Sequence, residues 1–217
     1  MTILMSTTNN DHAIIQHGET PQQTIASTLA LGAGCYWGTE KYVVVHFQKM
    51  FPNSIKSARV GFMTPTKDAE LKNPTYRQVC QGDTGYVEVL FVEMNDPTPE
   101  LFEELLRYFF MFHDPTTLNR QGYDVGTQYA SHIFTTDEQQ NIIAKRVVKE
   151  LRQLMKLGKI RSYLSTTVHT QINEINEFYE ASIDHQRYLT RNPNGYCNHF
   201  LRFYNWPEFP SAAVGTK

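Results

Sequence analysis

The chain has 217 residues, 41% of them apolar, and 20 basic against 22 acidic side chains leave a net charge of −2. That is enough apolar material for one packed domain, while the near-neutral balance argues against a nucleic-acid footprint or a polybasic membrane surface. No run approaches the roughly 18 uninterrupted apolar residues of a membrane span, and three cysteines are too few, and odd in number, for a secreted disulfide scaffold.

The elements follow in chain order. Residues 1–25 are polar, carry Asp11 and Glu19, lack a signal core or an Arg-rich amphipathic pattern, and read as a disordered extension. Thr28–Leu31 is a short strand, followed by a helix from Tyr36 to Lys49 with apolar residues at helical spacing. After the Pro52-Asn53 turn comes a strand at Ile55–Phe62, then a mixed loop from Met63 to Thr84. Val87–Glu93 is strongly strand-like. Thr98 caps a helix with Pro99 at its first position, and Leu101, Leu105, Phe109 and Phe112 mark its apolar face. His113–Gln128 is a polar loop, and Ala130–Phe134 is a further strand.

That order is β-α-β-β-α-β. A capping box, Thr136 to Gln139, then opens an amphipathic helix reaching Met155, with Ile142, Ile143, Val147, Leu151 and Leu154 on its buried face and Gly158 as its stop. Thr166–Thr170 is expected as a strand and Phe178–Leu189 as a helix. The fold expected is α+β, a two-layer sandwich with a ferredoxin-like (split βαβ) core, extra helices and a long C-terminal coil. Residues 26–206 form the domain, and 207–217 a flexible tail.

Three features carry chemistry. Gly34-Cys35-Tyr36-Trp37-Gly38 puts a cysteine on a strand-to-helix turn, where the helix N-terminus favours thiolate over thiol and is expected to lower its pKa. Cys35 reads as a nucleophile. Cys80 has no evident activator and reads as inert, whereas Cys197 lies in the turn-rich Pro193–Cys197 segment and can travel to meet another thiol. Glu88 interrupts a run whose neighbours all prefer burial. It is either a buried acid whose pKa is raised, and hence a proton donor, or an outward-facing residue on the solvated side of a sheet. The loop His113–Tyr129 is rich in hydrogen-bonding groups that either lock it internally or face a pocket.

Gly34-Cys35-Tyr36-Trp37-Gly38 with Glu40 resembles the signature of the A-type peptide methionine sulfoxide reductases. So do Pro74–Cys80, Thr84–Glu88, the His113–Tyr129 loop, His185-Gln186 and Asn192–Cys197, all in the family's order. The resemblance implies reduction of methionine sulfoxide, free or in proteins, at the S epimer. In that scheme Cys35 attacks the sulfoxide sulfur, Glu88 donates the proton, and Tyr76 and Tyr129 hydrogen-bond the oxygen. Tyr36 and Trp37 wall the methyl group, and Asp124 shapes the site. Cys35 is left as a sulfenic acid, Cys197 resolves it as a disulfide, and thioredoxin recycles the pair. The resemblance implies no metal or organic cofactor, and a cytoplasmic monomer is expected. Three places depart from the family pattern: Tyr86 stands where histidine is usual, Phe62-Met63-Thr64 where a paired-glycine turn is common, and Asn198-His199-Phe200 where many tails are glycine-rich. No cysteine follows Cys197, so a single resolving thiol is expected.

Two other classes share some of these features. A papain-like protease also puts aromatics after its cysteine, and His169 lies 169 − 35 = 134 residues downstream, within the protease spacing of roughly 130–150. That motif wants another cysteine just before the nucleophile, where this chain has Leu31-Gly32-Ala33-Gly34. A metal or redox-sensing module would use Cys35, Cys80 and Cys197 with a histidine, but no two are closely spaced as zinc ligands usually are. His113 and His185 read as supports for the loop and the last helix.

Overall fold

The computed structural model describes residues 25–209. The expected extension therefore lies outside the described residues except for Ile25, which is buried, as does the expected tail from residue 210 onward. A six-stranded sheet carries the fold: β1 (Thr28–Ala33), β2 (Ile55–Met63), β3 (Val87–Met94), β6 (Ser131–Thr135), β7 (Gln171–Glu174) and β8 (Tyr179–Glu180), in the spatial order β7-β6-β1-β3-β2-β8. Pairings are antiparallel except β6 with β7. The fold is α+β, with mixed strand directions.

Alternation along the strands divides the sheet into two faces. Leu90 and Val92 of β3 join Leu29, Leu31, Val60, Phe62 and Ile133 in the main core, with the helices. Val87 and Val89 face the other way, into a smaller cluster with Ala30, Met63 and Phe134. Glu88 has the parity of Leu90, so it points to the helical side.

Helix α1 runs through three consecutive segments, Tyr36–Glu40, a π-helical Lys41–Phe47 and Gln48–Met50. The expected helix is there, but its middle is wound more widely than spacing indicated. Helix α3 (Pro99–Phe112) is capped by the Thr98 side chain, which accepts from Leu101 N at 3.2 Å. Of its expected apolar face, Leu105, Phe109 and Phe112 are fully buried and Leu101 packs half-buried at the edge. Helix α4 (Glu138–Lys156) starts one residue later than the capping-box reading: Asp137, not Thr136, is the cap, because its carboxylate accepts from both Gln140 N and Ala26 N. Thr136 instead donates its hydroxyl to Thr28 O. Ile142 is 49% exposed and drops out of the expected face, whereas Ile143, Val147, Leu151 and Leu154 hold it.

Three local expectations fail for tertiary reasons. Within the Met63–Thr84 loop a short helix, α2 (Tyr76–Val79), forms with a reciprocal cap between Thr75 and Gln78. The strand expected at Thr166–Thr170 appears at Gln171–Glu174, since backbone donors just before it are taken by the polar loop: Leu164 N by Asp114, Ser165 N by Thr116 and His169 N by Pro115 O. The helix expected over Phe178–Leu189 is instead strand β8, paired on the edge of β2, and a coil fixed by Gln186, whose amide bonds both the N–H and the C=O of Val60 at 2.8 Å. Only α5 (Tyr188–Arg191) is helical there, and residues 192–209 carry no helix or strand. Among the described residues no helix is long and apolar enough to cross a membrane.

Candidate active site

The two central strands open the site. β1 pairs with β3 from Thr28↔Glu93 to Leu31↔Leu90, yet stays with β6 as far as Ala33↔Ser131. Glu88 lies two residues beyond the last β1–β3 pair, where the chain after Ala33 turns into α1. Gly34 makes that turn at φ +91, and a Cβ there would come within 2.4 Å of Gln121 Cβ. Glycine is required on both counts.

Cys35 is the N-cap of α1 and is 8% exposed. Glu88, opposite Phe62 in the β2–β3 register, is 2% exposed, and its carboxyl accepts the N–H of Tyr36 at 3.1 Å. Of the two readings of Glu88, the buried acid is the one observed. Burial, with the Asp124 charge added, pushes it to about 8, against the pull of the Tyr36 N–H. It keeps its proton at neutral pH.

The expected lowering of the Cys35 pKa is not found. Burial first, then the charges of Glu88 and Asp124, push the thiol up; the Trp37 and Gly38 N–H groups at the helix start pull the other way and lose. The helix terminus is positioned as expected, but desolvation is the larger effect. A protonated Glu88 removes one of the opposing charges.

The aromatic residues after Cys35 divide their work. Tyr36 is 1% exposed, packs on Phe62 and holds His185 Nδ1 through its hydroxyl at 2.9 Å. Trp37, half-buried, is sandwiched against Tyr188 at 3.8 Å between ring centroids and against His185. Tyr76 packs on His185 from the other side at 4.4 Å. His185 therefore ties α1 to α2, which its expected role as a plain helix support did not foresee, and Tyr188 carried no sequence signal at all. Tyr76 and Tyr129 are each raised by burial, and both feel the Glu88 charge, so their hydroxyls remain donors at neutral pH.

Burial raises the Cys80 thiol, in keeping with its reading as inert, but it lies closer to the site than its sequence suggested. It caps the end of α2, lies beside Tyr76 and is within electrostatic reach of Glu88 and Tyr129. The helix that brings it there was invisible in a loop read from prolines and polar residues. Tyr86, the departure beside the Glu88 strand, is buried, and its hydroxyl donates to Leu71 O at 2.6 Å and steadies the loop that bears Tyr76.

The long polar loop is largely self-bonded. It contains the small hairpin β4 (Arg120–Gln121) with β5 (Asp124–Val125). Asp114 accepts from Thr116, Thr117 bonds Arg120 O, and His113 bridges Phe109 O and Ser131 Oγ, as its supporting role required. Asp124 instead turns its side chain to the C-terminal segment. Its two oxygens accept from Tyr196 Oη at 3.0 Å and from Asn198 Nδ2 at 2.7 Å, so it binds the segment that carries Cys197. Burial raises it, and those two donors lower it. Cys197 itself is half-buried, and all three cysteines are free thiols. Its segment is therefore fastened down in this reduced state, rather than loose as its turn-rich sequence suggested.

The competing readings find no geometry. Among the described residues, no hydrogen bond joins His169 to Cys35, and no three His, Cys, Asp or Glu side chains are grouped to hold a metal ion.

Residues 27–205 match the model of the family described as peptide methionine sulfoxide reductase. The chain belongs to that family. The reductase is 36% identical over 176 residues to the probable peptide methionine sulfoxide reductase of Schizosaccharomyces pombe, covering 80% of this chain and 95% of that one. It is 41% identical over 166 residues to the peptide methionine sulfoxide reductase MsrA of Methanothermobacter thermautotrophicus, covering 76% and 88%. Among solved structures, Mxr1 from Saccharomyces cerevisiae in reduced form superposes with a TM-score of 0.66 at 34% identity, covering 81% of this enzyme and 92% of Mxr1. Methionine sulfoxide reductase A of Corynebacterium diphtheriae gives 0.63 at 35% identity, covering 83% and 81%.

Proposed function

We propose that the enzyme reduces the S epimer of methionine sulfoxide, free or in proteins, to methionine, and so repairs oxidised proteins. The observation that carries this reading is the pairing of a buried thiol with a buried proton donor: Glu88 holds the N–H of the residue next to Cys35 and keeps its own proton to about pH 8. A sulfoxide needs both partners. Its oxygen is a poor leaving group until protonated, and its sulfur accepts a nucleophile only as that proton arrives.

Glu88 gives its proton to the sulfoxide oxygen, with Tyr76 and Tyr129 donating hydrogen bonds to it. The Cys35 sulfur bonds to the substrate sulfur, whose methyl lies against Trp37 with Tyr36 beneath. The oxygen is passed to Cys35, methionine leaves, and the thiol proton restores Glu88. The sulfoxide sulfur gains two electrons and Cys35 becomes a sulfenic acid, so the step balances with no metal or organic cofactor. Cys197 then condenses with the sulfenic acid, releasing water and forming a disulfide, which thioredoxin exchanges. Asp124 shapes the site through its charge on Cys35 and Glu88. The proposed catalytic unit is residues 26–206, acting as a cytoplasmic monomer. Its strand order, with β3 between β1 and β2, supports a ferredoxin-like (split βαβ) core in a two-layer sandwich, followed by a long C-terminal coil.

The direct test mixes reduced protein with an S-methionine-sulfoxide peptide and no reductant. One methionine per chain, with two thiols lost and mapped to Cys35 and Cys197, is expected; no methionine would end the proposal. Cys197→Ser should still release one methionine per chain but stall when thioredoxin drives turnover. Sustained cycling in that variant would move the resolving role to another thiol or to direct reduction of the sulfenic acid.

A further inference from the structure

The residues just after Cys197 are where this sequence departs from glycine-rich tails, and they are the ones bonded to the site. Asn198 Nδ2 donates at 2.7 Å to Asp124 Oδ2 and at 2.7 Å to Gln121 O. On the other side of the thiol, Tyr196 donates to the same Asp124 carboxylate. His199 Nε2 donates at 2.7 Å to Ala33 O, two residues before Cys35, and Tyr42 Oη donates to the carbonyl of His199.

The His199 ring fills a space that the Cys35 motif leaves open. A Cβ on Gly38 would lie 1.9 Å from His199 Nδ1, so the second glycine of the motif serves this close approach. Burial lowers His199 to about 4, and the ring is neutral at ordinary pH. Its Nδ1 and the Asn198 Oδ1 are buried without partners. Each idle acceptor weakens the docked state, so the segment is held by a few strong bonds and can be released.

We propose that Asn198 and His199 are positioning residues for the resolving step: they dock the segment of Cys197 onto Asp124 and the Cys35 turn, presenting its thiol to oxidised Cys35. The inference rests on the sulfenic-acid reading above. Cys35–SOH and Cys197–SH give the disulfide and water, with no other reactant. The docked segment raises the local concentration of one thiol at the other, which is the physical content of the proposal. Docking takes no part in oxygen transfer, so the two phases should separate.

Asn198→Leu tests this with nearly unchanged shape, because it removes the amide donors to Asp124 and Gln121 O without adding charge at the site. Reduced protein is mixed with the S-sulfoxide peptide without reductant and quenched over time, with methionine and the Cys35–Cys197 disulfide measured together. The expected result is one methionine per chain at the parent rate, and a disulfide slowed at least about 10-fold, the scale of a lost hydrogen bond to a charged group. Asn198→Ala and His199→Ala should slow it in the same direction, and the retained methionine burst certifies the fold. A disulfide forming at the parent rate in all three variants overturns the inference, as does an equal slowing of both phases. Absence of methionine from the parent protein would instead defeat the reductase reading itself.

Discussion

Cys35→Ser should abolish methionine formation, lowering the single-turnover rate by more than about 10⁴-fold, the scale on which loss of a catalytic nucleophile registers. A serine hydroxyl in the same buried turn is far less acidic than a thiol and cannot carry the oxygen away as a sulfenic acid. The fold should survive, since the replacement is nearly isosteric and Cys35 makes no side-chain cap bond. Methionine release by quenched-flow, set beside the thermal midpoint, checks both. A folded variant that still releases methionine would remove Cys35 from the reaction.

Glu88→Gln should slow the same step by roughly 10²–10⁴-fold, the range for loss of a positioned general acid. The amide keeps the shape and can still accept from Tyr36 N, but it has no proton to give. In the parent enzyme the rate should fall as pH rises through about 8, where Glu88 loses its proton; the variant should lack that limb. Stability supplies a second readout. The folded pKa is raised above the unfolded one, so the contribution of Glu88 is fully present below about 4.3 and is lost as pH climbs to about 8. Parent stability relative to Glu88→Gln should therefore decline across that window, by at most about 1.4 kcal/mol per pH unit. Urea midpoints for both proteins at several pH values measure it. A variant with the parent's single-turnover rate would mean that the proton comes from elsewhere.

The local rules served best where one segment holds all the relevant energy. Thr98-Pro99 caps its helix as read, and β1, β2, β3 and β6 lie where apolar alternation put them. They served worst where a segment's hydrogen bonds are claimed by distant partners. Gln186 binds the backbone of Val60, 126 residues away, and the expected helix over Phe178–Leu189 gives way to a sheet edge and a coil. Cys80 stays inert as read, its thiol raised by burial, but a four-residue helix with its own cap, unseen in the loop, places it beside Tyr76.

By itself the sequence determined the central strands and helices, the turn that carries Cys35, and the motifs that mark a peptide methionine sulfoxide reductase, since those depend on neighbouring residues and on spacing. Only the tertiary structure decided that Glu88 faces inward and that Cys35 is raised rather than lowered. It alone fastened the Cys197 segment to Asp124 and Ala33. The physical reason is the same throughout: desolvation and long-range hydrogen bonds, such as those from Tyr36 to Glu88 and from His199 to Ala33, across 52 and 166 residues, are set by everything packed around a group.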